Sequence, residues 1–199
     1  MRTPSRLISA AALTFLFFTT VSAKAAHSKP GSPASKGDKS PGSDPEMIDL
    51  NGYKSVIASY HGRPLLATFW ATWCEPCRAE YPMIVDLAKQ YGPQGLAVVG
   101  VSLDSDEDVN SVRQFLTDHH PGFPNYRQKI GVDADTFYQG VNPEWRGTMP
   151  QTVFYGRDGH IARYFVGQRN RQAFDDAIRL ILASPMAANW TLRGPHAGN

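Results

Sequence analysis

Cysteine is scarce in this chain: 199 residues carry two, and both fall in one short stretch, as Cys74 and Cys77. A small disulfide-stapled scaffold uses more cysteines at wider spacing, so these two form a site and not a framework. Runs of basic residues are also missing. The formal net charge is +2; without Arg2, Arg6 and Lys24 near the N-terminus, the 20 basic residues fall to 17 against 18 acidic. So even a balance, with no Lys/Arg stripe, argues against a nucleic-acid partner. No apolar run reaches the ~20 residues that a bilayer-spanning helix needs, and no internal repeat is visible. What is present is enough apolar material for a packed core, 42% hydrophobic and 11% aromatic residues.

The first 25 residues read as an export signal. Arg2 and Arg6 make a positive start, and Leu7 to Val21 form an apolar segment. Val21-Ser22-Ala23 and Ala23-Lys24-Ala25 are both small-x-small cleavage candidates. The rival is an uncleaved anchor, and the shortness of the apolar segment favours cleavage. No cysteine follows the segment, which excludes a lipidated N-terminal cysteine. Residues 26–45 are rich in Pro, Gly, Ser and Lys and read as a flexible linker. A folded domain is expected over 46–183, with a tail over 184–199.

Within the domain, Leu65 to Trp70 reads as a buried strand, Glu75 to Tyr91 as a helix kinked by Pro82, and Leu96 to Val101 as a second buried strand. Two apolar strands joined by a helix make a βαβ unit, so the strands are expected to be parallel. Ser105 is expected to cap the next helix, with Asp108 in the third helical position. Pro121 to Trp145, with its prolines and glycines, reads as irregular. There Tyr126, Phe137, Tyr138 and Trp145 serve either a partner groove or, as is more usual for aromatics, the core. Gln151 to Tyr155 and His160 to Phe165 read as a hairpin around Gly156-Arg157-Asp158-Gly159. Arg171 to Leu182 reads as an amphipathic helix. The fold class is α/β, a central mixed sheet with helices on both faces.

Trp73-Cys74-Glu75-Pro76-Cys77 stands where the first strand passes into the helix. That junction puts Cys74 at a helix N-terminus, where free N–H groups and the helix dipole favour an anion. The spacing brings both sulfurs within bridging distance on the first turn. The thiolate is the species that attacks a disulfide, so Cys74 is the candidate nucleophile and Cys77 the resolving thiol. Zinc would need two further ligands, and the six histidines are scattered. A purely structural bridge this short closes little chain and stabilises weakly. Nothing around Cys74 prepares it for peroxide reduction beyond the thiol itself. Cys77 and Glu80 share a helix face, and Glu80 is either a proton acceptor for a cysteine or a solvated helix glutamate. Glu75 adds a negative charge beside Cys74, which raises the thiol's proton affinity and suits a reductant, while Arg78 offsets it.

The stretch Phe69-Trp70-Ala71-Thr72-Trp73-Cys74-Glu75-Pro76-Cys77-Arg78-Ala79-Glu80-Tyr81-Pro82, together with the distant Met149-Pro150, resembles the TlpA/ResA-like branch of thioredoxins. The resemblance spans about Met47 to Leu182. It implies a thioredoxin-like fold and a disulfide reductase of exported proteins, with catalysis by Cys74, Cys77 and Glu80. Substrate contact would then fall on Trp73, Glu75, Pro76, Met149 and Pro150. It implies a cis bond before Pro150, which frees the Met149 backbone to pair with an extended substrate. Thr68 stands where ordinary thioredoxins carry a buried Asp, and Glu80 fills the place of the branch's own glutamate. No cofactor beyond the Cys74–Cys77 disulfide and no metal is expected. The resemblance also implies a membrane thiol transporter as electron donor, exported disulfide proteins as substrates, with apocytochromes c or a copper-site assembly protein among them, a periplasmic or tethered location, and a monomer. The competing readings are an oxidase or isomerase, and a module that binds copper(I) or a partner through the same thiols.

Overall fold

The computed structural model describes residues 44–184, apart from 130 and 132. The expected signal segment, most of the linker and all but the first residue of the tail lie outside the described residues. Among the described residues six strands form one sheet: β1 (Glu46–Ile48), β2 (Leu65–Trp70), β3 (Ala97–Ser102), β4 (Asn125–Gln128), β5 (Gln151–Tyr155) and β6 (Ile161–Val166), in the order β1-β4-β3-β2-β5-β6. β1, β4, β3 and β2 run parallel, and β5 and β6 join antiparallel. The helices are α1 (Leu50–Ser59), α2 (Glu75–Tyr91), α3 (Val109–His119), α4 (Ala134–Val141) and α5 (Arg171–Ala183).

β2 and β3 are buried along their whole length, as parallel strands covered on both faces must be. Strand alternation divides their side chains between two layers. Leu65, Ala67 and Phe69 pack with Tyr53 of α1 and with Phe137 and Val141 of α4. Leu66 packs with Ile84, Leu87 and Tyr91 of α2 and with Phe174, Ala177, Ile178 and Ile181 of α5. A third cluster joins Trp70 and Ala71 to Cys74, Cys77, Tyr81 and Val112, so α3 closes over the redox end of α2. Each large apolar side chain so buried contributes roughly 1.5–3 kcal/mol. The fold is therefore the expected mixed sheet with helices on both faces.

Four expectations need correction. β1 and α1 are elements the sequence pattern did not reveal. α1 contains Gly52 and is capped by Asp49, whose carboxylate accepts from Gly52 N at 2.8 Å. Second, the stretch from Pro121 to Trp145 contains β4 and α4, and Phe137 and Trp145 are fully buried, which makes them core. Third, Ser105 does not cap α3. Its carbonyl accepts from Arg127 Nη1 and its hydroxyl donates to Asp108, while Arg127 also pairs with Asp106 at 2.7 Å. Ser105 is thus held in a turn against β4, and the helix starts only at Val109 with Asp108 as its cap residue. Finally, two strands are displaced by one residue from the expected limits, β3 to Ala97–Ser102 and β6 to Ile161–Val166. α2 continues through the exposed Pro82 to Tyr91.

Candidate active site

Sheet register decides which loops meet. Trp70 lies opposite Ser102 in the parallel β2–β3 pair, Phe69 opposite Gln151 in the antiparallel β2–β5 pair, and Gln151 opposite Val166. The segments after β2, β3 and β6 and the one before β5 therefore emerge at the same end of the sheet. The Cys motif, Asp104, the 167–170 loop and Met149-Pro150 are all gathered there.

Cys74 is the N-cap residue of α2, in extended backbone, and its sulfur accepts from Cys77 N at 3.3 Å. Glu75 and Pro76 occupy the first turn, where proline's fixed φ suits a helix and its missing N–H leaves no intrahelical bond unmade. Cys74 and Cys77 form a disulfide with a Cα separation of 5.3 Å. Both are buried, Cys74 at 6% exposure and Cys77 at 2%. Beside them Trp73 stands out at 62% exposure, and Glu75 and Pro76 are exposed as well. The Met149–Pro150 bond is cis, and Met149 packs partly buried against the cluster that holds both cysteines.

Glu80 is not a solvated helix glutamate. It is 4% exposed, and its Oε2 accepts from the backbone N–H of Arg169 at 2.9 Å. Burial pushes its carboxyl up from the ordinary 4.5 to about 7, against the lowering effect of the Arg169 N–H and charge. The same β6–α5 loop reaches the proline: Gly167 N donates to Pro150 O at 2.8 Å. One short loop thus braces both Glu80 and the backbone beside the disulfide. The sequence carried no sign of this loop's part, because Arg169 acts through its main chain. Asp104 was missed too; its carboxylate is 1% exposed and bonds Thr72 in the turn before Cys74. An acid two residues past an apolar strand was the signal available for it.

A thiol at a helix cap, paired with a second thiol on the first turn and flanked by a buried acid that titrates near neutrality, is suited to exchange one disulfide for another. The model of the AhpC/TSA family matches residues 37–164. The chain belongs to that family. Similar proteins are named as a thioredoxin-like protein and as thiol-disulfide oxidoreductases. Thioredoxin-like protein YneN of Bacillus subtilis is 37% identical over 138 residues, covering 69% of this chain and 76% of the relative. Thiol-disulfide oxidoreductase ResA of Oceanobacillus iheyensis is 33% identical over 133 residues, covering 66% and 65%. Among solved structures, a putative thiol:disulfide interchange protein DsbE from Chlorobium tepidum superposes with a TM-score of 0.53 at 24% identity, over 64% of this chain and 85% of that one. That likeness shows the thioredoxin-like fold. Taken with the relatives, the cysteine pair makes this a thioredoxin-like, ResA-like thiol–disulfide oxidoreductase.

Proposed function

We propose that this oxidoreductase works as a reductant of disulfides in proteins outside the cytoplasm. Cys74 attacks the substrate disulfide, forming one S–S bond and releasing one substrate thiolate. Cys77 then attacks Cys74 of the mixed disulfide, releasing the second substrate thiolate and forming the Cys74–Cys77 bond. Two electrons pass to the substrate and two protons follow. Glu80 takes the proton from a cysteine as it becomes a nucleophile, which its raised proton affinity near pH 7 suits. Trp73, Glu75, Pro76, Met149 and Pro150 form the substrate contact surface around the sulfur. A thiol transporter in the membrane would restore the dithiol, apocytochromes c are among the substrate class, and the enzyme works as a monomer with no added cofactor or metal.

The observation that carries the direction is the placement of Glu75 and Cys74. Glu75 sits in the first turn of α2, next to the sulfur at its cap. Its charge opposes the helix dipole, disfavours the thiolate, and so stabilises the disulfide over the dithiol. Location outside the cytoplasm rests on the N-terminal signal pattern. No helix among the described residues is long and apolar enough to cross a membrane. The test is the reduction potential of the pair, equilibrated against glutathione or dithiothreitol. A value near or below roughly −270 mV supports a reductant; one near −120 mV reverses the direction to oxidation.

A further inference from the structure

Asp104 lies just past the end of β3, at 1% exposure, among groups the exchange reaction does not otherwise employ. Each of its side-chain partners is a donor. Thr72 N approaches Oδ1 at 3.0 Å and Oδ2 at 3.1 Å, the Thr72 hydroxyl donates to Oδ1, and the Ser102 hydroxyl donates to Oδ2 at 2.6 Å. Ser102 Oγ in turn accepts from Asp104 N at 3.1 Å. Among the described residues no cation pairs with it. The partners come from two places only, the end of β3 and the turn between β2 and α2. Leu103 N completes the stitch by donating to Trp70 O at 2.8 Å.

We propose that Asp104 is a positioning residue for Cys74: it pins the turn that presents the thiol at the helix cap, and its buried charge holds the thiolate back. Thr72 is two residues before Cys74, about 7 Å of extended chain at most. A charge buried beside that turn acts on the thiol through low-dielectric protein, and is less screened by solvent than the exposed charges of Glu75 and Arg78. Buried Glu80 lies one helical turn beyond Cys77 and is held from the β6–α5 loop. Thr68, on β2, brings no charge, and Asp104 supplies a buried negative charge from just past the end of β3. This proposal rests on Cys74 being the attacking thiol.

The test is the pH dependence of iodoacetamide alkylation of the reduced full-length protein, with mass spectrometry to identify which cysteine reacts. Equilibration against glutathione runs alongside. In Asp104→Asn the Cys74 pKa is expected to fall by about half a unit or more, and the equilibrium to move about threefold or more toward the dithiol. Thr72→Val keeps the charge and loses one hydrogen bond; its Cys74 pKa is expected not to fall, while exchange slows. Asp104→Ser, which is neutral yet keeps an acceptor for Thr72, repeats the test if the Asn variant does not fold. The proposal is overturned if the neutral variants leave pKa and equilibrium unchanged and lower only the melting temperature. An equal fall in Thr72→Val overturns it as well. Alkylation first at Cys77 would instead refute the assignment of Cys74, whatever Asp104 does.

Discussion

Replacing Glu80 with Gln should make the oxidised protein more stable at alkaline pH while impairing exchange. The carboxyl rises from 4.5 to about 7 on folding, chiefly because burial penalises its charge. At 1.36 kcal/mol per pH unit, that difference corresponds to about 3 kcal/mol. The sign follows from proton counting. Below pH 4.5 the acid is protonated whether folded or not, and nothing is lost. Between 4.5 and about 7 the folded state holds a proton that the unfolded chain releases, so stability falls as pH rises. Above about 7 the full cost is present as a buried carboxylate, relieved in part by the Arg169 N–H at 2.9 Å and by the Arg169 charge. Gln keeps an acceptor for that N–H and carries no charge. The assay is urea denaturation of oxidised wild type and Glu80→Gln from pH 4 to 8.5. The cysteines are bridged and cannot titrate, and the histidines are common to both proteins and cancel. The gap is expected to widen toward alkaline pH by up to ~3 kcal/mol. A gap that stays flat across the range would refute the reasoning.

Two shorter predictions concern packing and surface. A Cβ at Gly100 would lie 2.0 Å from Asn125 Oδ1, the oxygen that accepts from Tyr81 at 2.9 Å and Trp70 at 3.3 Å. Gly100→Ala should therefore displace that amide from the aromatic cluster behind the disulfide and cost roughly 1–3 kcal/mol in chemical denaturation; an unchanged midpoint would show that Asn125 moves freely. Trp73→Ala removes a side chain that is 62% exposed beside the sulfur, so stability should change by no more than ~0.5 kcal/mol. Its rate with a protein disulfide should fall several-fold more than its rate with oxidised glutathione. Equal losses on both substrates would remove Trp73 from the protein-contact surface.

Local patterns carried much of this molecule. The apolar runs at Leu65 to Trp70 and around Ala97 to Ser102, with the helix between them, were legible because buried parallel strands and a long amphipathic helix have strong short-range signatures. Cys74 and Cys77 were legible because their chemistry depends on one helix turn, and a turn is written in consecutive residues. β1 and α1 were not, since a three-residue strand and a glycine-containing helix owe their stability to what they pack on. Pro121 to Trp145 misled for the same reason: its prolines and glycines speak of breaks, while Phe137 and Trp145 are drawn into the core by β2 and α1. Nor did any spacing along the chain reveal that Glu80 is buried under the Arg169 backbone, 89 positions away, or that Asp104 reaches back to Thr72 across 32. The sequence alone determined the thiol pair, its place at a strand–helix junction and the class of fold. The environment that tunes the pair was decided only when sheet register brought four loops to one end, because burial and long-range hydrogen bonds exist only once the chain has closed on itself.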